Sequence, residues 1–420
     1  MYFSFIKITL KGLYNILTHI AAFHIKIAAV FNNKLKLGVK GRAKTFAILK
    51  DNITIEDNVI WFHCASLGEY EQGLPVFEEI KASHPNRKIV LSFFSPSGYE
   101  IRKNAPIADC VVYLPLDTKQ NAKQFLDLVH PELVVFVKYE IWPNYLLEIK
   151  KRQIKAVLIS ALFRKNQSFF KPTGKWMQKA LFAFNHIFVQ NEESKELLKQ
   201  IDYNEVTVSG DTRFDRVSNQ LKINNKLHFV ETFKQDNLCV VAGSTWPEDE
   251  ALLIDFINND SSKTKYIIAP HNIKSGQISS LKSKLNKGAI LYSEKDTTDL
   301  AKVKVLIIDT IGLLSKIYSY ADIAYVGGAM GSTGLHNTLE PAVFGVPIII
   351  GCNHDKFPEA KSMISNKGMF SIKNQAAFDL ILNELINDAD FRIKSGQLNA
   401  DYISKNRGAV KQIMSYLNKR

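Results

Sequence analysis

The chain has 420 residues, enough for two or three domains of ordinary size, so a single small module is excluded. Apolar residues make up 46% and charged residues 23%, the balance of a folded globular protein, which excludes wholesale disorder. Of the net charge of +13, residues 1–50 carry +9, with nine Lys or Arg and no acid before Asp51.

That opening segment interleaves Lys7, Lys11, Lys26, Lys34, Lys36, Lys40, Arg42, Lys44 and Lys50 with Tyr2, Phe3, Phe5, Ile6, Ile8, Leu10, Leu13, Ile16, Leu17, Ile20 and Phe23. A membrane-spanning helix needs about 20 mostly apolar residues. The longest run without Lys or Arg, Gly12 to Ile25, has 14 and includes His19 and His24. A cleaved signal peptide would show one compact apolar run and a small-residue cleavage site. A helix lying in a membrane surface, apolar on one side and cationic on the other, fits better, because anionic headgroups attract basic residues. A helix packed on the protein with a solvated basic face is the plainer reading. No zinc-finger spacing, basic region with heptads or RNA-binding aromatic signature accompanies the charge, so no nucleic-acid partner is expected.

From residue 57 onward, short β-branched runs alternate with amphipathic helical stretches. Expected strands are Val59–His63, Lys88–Phe94, Val111–Leu114, Leu133–Val137, Ala156–Ser160, His186–Val189 and Val206–Ser209, with helices such as Leu74–Ser83, Thr118–Val129 and Ser194–Gln200 between them. A polar stretch around residues 215–237 interrupts the pattern, which restarts at Leu238–Ala242 and continues through Tyr266–Ala269, Ala289–Tyr292, Val303–Ile308, Ile323–Val326 and Ile348–Gly351. Alternation of this kind predicts an α/β protein of two doubly wound, Rossmann-like domains. The expected boundaries are a basic apolar membrane-anchoring segment 1–50, a first domain 51–215, a linker 216–237 and a second domain 238–420 whose last helix is able to pack back on the first. The cysteines Cys64, Cys110, Cys239 and Cys352 stand apart without a Cys-x-x-Cys pair and read as buried thiols in a reducing compartment.

Such sheets bind ligands outside the carboxyl ends of their strands, so residues just after strands carry the chemistry. After the first strand comes Ala65-Ser66-Leu67-Gly68-Glu69, whose small residues let a ligand approach a helix start, where free amides favour anions. Glu69 there suits a general base. On spacing alone, Glu69 and Glu71 read equally as first-turn acids favoured by the helix dipole. The fourth strand is followed by Lys138-Tyr139-Glu140-Ile141-Trp142-Pro143-Asn144, where Glu140 could orient a hydroxyl and Lys138 adds positive charge. In the second half, Gly243-Ser244-Thr245 follows a strand, and Gly327-Gly328-Ala329-Met330-Gly331-Ser332-Thr333-Gly334 suits a loop whose amides cradle a phosphate. Glu340, before Pro341, could accept both hydroxyls of a ribose. His271 and His336 lack metal-ligand spacing and read as hydrogen-bonding groups.

The ordered set Ala-Ser-x-Gly-Glu (65–69), Ser-x-x-Gly-Tyr-Glu (95–100), Pro-Leu-Asp (115–117), Glu-x-Trp-Pro-Asn (140–144), Asp-Thr-Arg-Phe-Asp (211–215), Ala-Gly-Ser-Thr-Trp (242–246), His-Asn-x-Leu-Glu-Pro (336–341) and Phe-Gly-Val-Pro (344–347) resembles the 3-deoxy-D-manno-octulosonic acid (Kdo) transferases. The resemblance implies a GT-B glycosyltransferase fold, two domains facing a cleft, on the cytoplasmic face of the bacterial inner membrane. It further implies inverting transfer of Kdo from CMP-Kdo to a lipid A precursor, without metal or other cofactor. Glu69 would be the base and Glu140 a second active-site carboxylate. Arg213, Ser244, Thr245, Gly327, Gly328, Asn337 and Glu340 would bind the donor, and Ser66, Gly68, Lys138 and Arg164 would contact acceptor or phosphate. The chain departs from the family's pattern at Ser160-Ala161-Leu162-Phe163-Arg164, where Arg164 stands near but not at the usual arginine, at Lys138-Tyr139, and at Thr333-Gly334-Leu335. Two other readings are a GT-B enzyme using a UDP-sugar, of the lipid A disaccharide synthase type, and a non-catalytic lipid-binding protein on the same scaffold.

Overall fold

Strands form where β-branched and aromatic residues run together, and the runs are continuous because helices cover both faces of each sheet. The computed structural model describes residues 2–419; the side chains of residues 2–9 and of Thr173 lie outside the described part, and with them the apolar and basic positions Tyr2, Phe3, Phe5, Ile6, Lys7 and Ile8. Contacts divide the chain into two units, Met1–Arg216 with Gly408–Arg420, and Val217–Arg407.

The first unit holds seven parallel strands: β1 (Val59–Cys64), β2 (Lys88–Phe93), β3 (Cys110–Tyr113), β4 (Leu133–Val137), β5 (Lys155–Ala161), β6 (His186–Val189) and β7 (Val206–Val208), in the order β3-β2-β1-β4-β5-β6-β7. The second holds β8 (Cys239–Thr245), β9 (Lys265–Pro270), β10 (Ala289–Leu291), β11 (Val305–Ile307), β12 (Ile323–Val326), β13 (Ile348–Gly351) and β14 (Met369–Ile372), in the order β10-β11-β9-β8-β12-β13-β14. β14 is a strand that the sequence reading missed. Every residue of β1 is buried, and alternation sends its side chains to opposite faces. Phe62 stacks on Phe77, with ring centroids 4.1 Å apart, while Trp61 packs against Phe125 and Phe136 on the other side. Burying a side chain of this size contributes roughly 1.5–3 kcal/mol.

The N-terminal segment forms two helices, α1 (Tyr2–Phe31) and α2 (Asn33–Asn52). Asn32 separates them, its side-chain oxygen accepting the amides of Lys34 and Leu35 and so starting a new helix. α2 belongs to the first unit's core, with Leu49 buried and Thr45 donating to the Tyr113 carbonyl at 2.8 Å. α1 is attached on one face only. The Tyr14 hydroxyl donates to Asp117 at 2.6 Å, and Asn15 accepts the side-chain amide of Asn144. Its other face exposes Ile16, Leu17, Phe23, Ile27, Val30 and Phe31. The helical stretch Leu10–Phe31, 22 residues, is long and apolar enough to cross a membrane by length and composition. That stretch includes Lys11 and Lys26, the two lysines at which the sequence argument ended its count.

Residues 217–237, read from sequence as a linker, are folded into the second unit. Val230 and Phe233 are fully buried there, and Lys234 pairs with Asp322 at 2.7 Å. At the other end, the helix Ala409–Leu417 belongs to the first unit. Its first amides, Gly408 and Ala409, donate to the Asp215 carboxylate at 2.9 and 3.0 Å, and Ile413 is fully buried.

Candidate active site

In the first sheet the chain steps outward from β1 to β2 and β3, then returns to lay β4 on the opposite side of β1. The loops that leave β1 and β4 diverge at this reversal, which is where open α/β sheets hold ligands. The β1 loop enters helix α3 (Leu67–Ser83) with Ser66 at its N-cap, and the β4 loop enters the helix Pro143–Lys151 through Lys138, Tyr139 and Glu140. Both carboxylates singled out from sequence therefore sit at one place.

Glu69 lies in the first turn of α3, where its Oε2 accepts the backbone amide of Ala65. The side chain is buried, and burial together with the neighbouring Glu140 charge pushes its carboxyl up to about 8, against the lowering effects of the Ala65 and Ser66 amides and of Lys138. Glu140 is also buried and accepts the Trp142 indole N–H at 2.7 Å. Lys138, at φ 65°, holds the left-handed conformation without being glycine, a strained turn of the kind that concentrates at functional sites. A Cβ added at Gly68 would meet open space, so the approach beside Glu69 is unfilled.

Lys138 and Arg164 both approach the Tyr139 ring. Arg164, which is exposed, donates to the Tyr139 hydroxyl at 3.3 Å and lies over its ring. Arg213 is held by Asp211, which accepts its Nε at 2.8 Å and its backbone amide at 2.9 Å. Asp211 in turn accepts Gln72 of α3 at 2.7 Å. Burial raises the Tyr139 hydroxyl while Arg164 and Arg213 lower it.

The second sheet reverses between β8 and β12, and the same rule places its ligand side there. Ser244 and Thr245 end β8, and Gly327 and Gly328 follow β12. Ser244 has φ 54° and Gly328 φ 96°, both left-handed. A Cβ at Gly327 would collide with the Ser244 carbonyl and with Asp249, so the two loops touch through bare backbone. Asp249 is fully buried and ties them together, accepting the amides of Gly328 at 2.8 Å and Trp246 at 2.9 Å and the Tyr325 hydroxyl at 2.7 Å. Asn337 and Ser315 each donate to the Glu340 carboxylate at 3.0 Å, which fixes its two oxygens. Trp246 stacks on His271 and donates to His336 Nε2 at 3.0 Å. Burial, reinforced by His271, lowers His336 to about 4, so it is neutral and accepts at Nε2. Among the described residues no group of three or more His, Cys, Asp or Glu is placed to hold a metal ion.

Residues 38–216 match the family model for 3-deoxy-D-manno-octulosonic-acid transferase. The chain is 25% identical over 374 residues to the 3-deoxy-D-manno-octulosonic acid transferase of Haemophilus influenzae, covering 85% of this chain and 86% of that one. It is 27% identical over 368 residues to the enzyme of that name from Aquifex aeolicus, covering 85% and 95%. Over most of its length the chain is thus similar to Kdo transferases. Among solved structures, the UDP-GlcNAc 2-epimerase of Neisseria meningitidis superposes with a TM-score of 0.62 at 15% identity, covering 86% of this chain and all of that one, a likeness of fold alone. The fold is the GT-B type.

The structure thus assembles Glu69, Glu140, Lys138, Ser66 and Gly68 at one reversal, with Arg164 on Tyr139 and Arg213 held by Asp211. In the other unit it assembles Ser244, Thr245, Gly327 and Gly328, with Asn337 and Glu340 joined by their own hydrogen bond. The sequence reading missed Asp249, which looks like one of three ordinary first-turn acids after Pro247, and His63, which lies inside a strand rather than after it.

Proposed function

We propose that the protein transfers Kdo from CMP-Kdo to a sugar hydroxyl of a lipid A precursor by a single inverting displacement. The observation that carries this reading is Glu69: a buried carboxyl at the sheet reversal, with its proton affinity raised to about 8, open on the Gly68 side. A base of that strength takes the acceptor hydroxyl proton as the oxygen attacks the anomeric carbon and the CMP phosphate departs. Glu140 beside it orients the acceptor. Lys138, Arg164 and Arg213 supply positive charge for the donor's carboxylate or phosphate, a task suited to guanidinium groups. Ser244, Thr245, Gly327 and Gly328 offer backbone and hydroxyl groups to the nucleotide phosphate, and Glu340 offers its oxygens to the ribose. No step is assigned to a metal.

The exposed apolar face of α1 and the basic segment around it support attachment to anionic inner-membrane lipids on the cytoplasmic side, where a lipid acceptor is presented. The deciding measurement is release of CMP from CMP-Kdo by the purified chain in detergent, with and without a tetra-acylated lipid A precursor, with mass analysis of the lipid. Acceptor-dependent release and a lipid mass gain of Kdo units are expected. Turnover of a UDP-sugar in place of CMP-Kdo would move the reading to a UDP-sugar GT-B enzyme, and turnover of neither would leave a binding protein.

A further inference from the structure

β1 carries a polar side chain in its middle that the proposed chemistry does not use. His63 is fully buried, on the same face as Trp61, and the strand register sets it beside Ser92 of β2. Its Nδ1 lies 2.8 Å from Ser92 Oγ, and its Nε2 lies 3.1 Å from Glu140 Oε2. Ser92 Oγ also receives the Trp61 indole N–H at 2.7 Å. Buried polar groups in a chain of this kind hold their positions because an unmet partner costs about 1–3 kcal/mol.

The donors and acceptors determine which way the chain runs. An indole nitrogen only donates, so Trp61 occupies an acceptor position on Ser92 and leaves that hydroxyl free to give its own hydrogen elsewhere. His63 Nδ1 is the near acceptor; the alternative, the Phe62 carbonyl, is 3.5 Å away. With Nδ1 accepting, a neutral imidazole carries its hydrogen on Nε2. That hydrogen points at Glu140 Oε2, 3.1 Å away; the Trp142 indole N–H lies 3.1 Å from Nε2 and 2.7 Å from the same Oε2, and the shorter contact assigns it to the carboxylate. With the other tautomer, Nε2 would accept Trp142 but set a lone pair against the carboxylate, and Ser92 would receive two donors and have only the distant carbonyl for its hydrogen.

We propose that His63 is a positioning residue: in the Nε2–H tautomer set by Trp61 and Ser92, it anchors one oxygen of Glu140 and leaves the other for substrate at the Glu69 site. The relay runs Trp61, Ser92, His63, Glu140, entirely within the first unit. It rests on the role given to Glu140 above.

The test pairs two amides of different reach in the full-length chain. His63→Gln places an amide nitrogen where Nε2 was, while His63→Asn reaches only the Nδ1 position and leaves Glu140 without that donor. Displacing a reactive group by about 1 Å costs about 100-fold. His63→Asn is therefore expected to lose kcat for Kdo transfer on that scale, with KM for CMP-Kdo little changed, and His63→Gln to recover most of the loss at a similar melting temperature. Equal loss in both variants, or loss carried by KM, would overturn the proposal. Nitrogen NMR of the wild-type chain with labelled histidine reads the tautomer without any substrate: Nε2–H is expected, and Nδ1–H overturns the relay. A wild-type chain with that tautomer but no turnover of CMP-Kdo would sink the proposed function while leaving the relay intact.

Discussion

The two units share a strand order around their reversals and use it in opposite ways. At the reversal of the first sheet stand ionisable side chains, Glu69 and Glu140, buried close enough for one charge to raise the other's proton affinity. At the reversal of the second stand bare backbone turns, Ser244, Gly327 and Gly328, fastened by the single buried carboxylate of Asp249. One arrangement tunes a proton; the other fixes a shape. Similar topology thus yields a raised proton affinity at one reversal and fixed backbone turns at the other, the difference resting on whether side chains or amides line the strand ends.

Three substitutions sharpen that contrast. Glu69→Gln removes the proposed base and is expected to lower kcat by about 10²–10⁴-fold, with calorimetric binding of CMP-Kdo unchanged. The same variant should melt higher than the wild type at pH 8. The folded state keeps its Glu69 proton up to about 8, whereas the unfolded chain releases it near the ordinary 4.5, so stability falls across that window and the amide is exempt. A wild type that melts higher at alkaline pH would contradict the burial argument. Asp249→Ala removes the oxygen that both loop amides share and leaves buried donors unmet, at about 1–3 kcal/mol. Its effect should appear as a raised KM for CMP-Kdo, with the pH dependence of kcat unmoved; a shifted pH profile would erase the division of labour. The smallest effect falls to Glu140→Gln as read by the pH profile. If Glu69 is the base, the wild-type kcat/KM is expected to rise with pH through about 8, and removing the neighbouring charge takes away one of the two causes that raise Glu69, so the limb should move to lower pH. A limb that stays in place would mean that burial alone sets Glu69.

Much of this was legible in the residues. β4, β6, β12 and β13 coincide with their apolar runs because a strand covered on both faces has no polar alternation to blur its ends. β14 escaped notice because Met369-Phe370-Ser371-Ile372 has one β-branched residue and follows a glycine. Glu69 and Glu140 could be found because they follow strands, where ligands are expected. His63 could not, because inside Val-Ile-Trp-Phe-His-Cys it reads as filler, and only the register with Ser92 gives it a partner. Lys138 and Ser244 give no sign of their left-handed turns, since neither is glycine; that strain comes from the fold around them. The two N-terminal helices read as one segment because the signal that divides them is a single asparagine.

The hydrogen bonds from Gly408 and Ala409 to Asp215 bear on the order of biosynthesis. Residues 217–407 lie in sequence between the two parts of the first unit, and the helix that buries Ile413 in that unit leaves the ribosome only after them. Domains generally fold as units while the chain emerges. The inserted unit therefore has its whole sequence available before the first unit does, and the surface that receives Ile413 stays uncovered until the residues after 407 emerge.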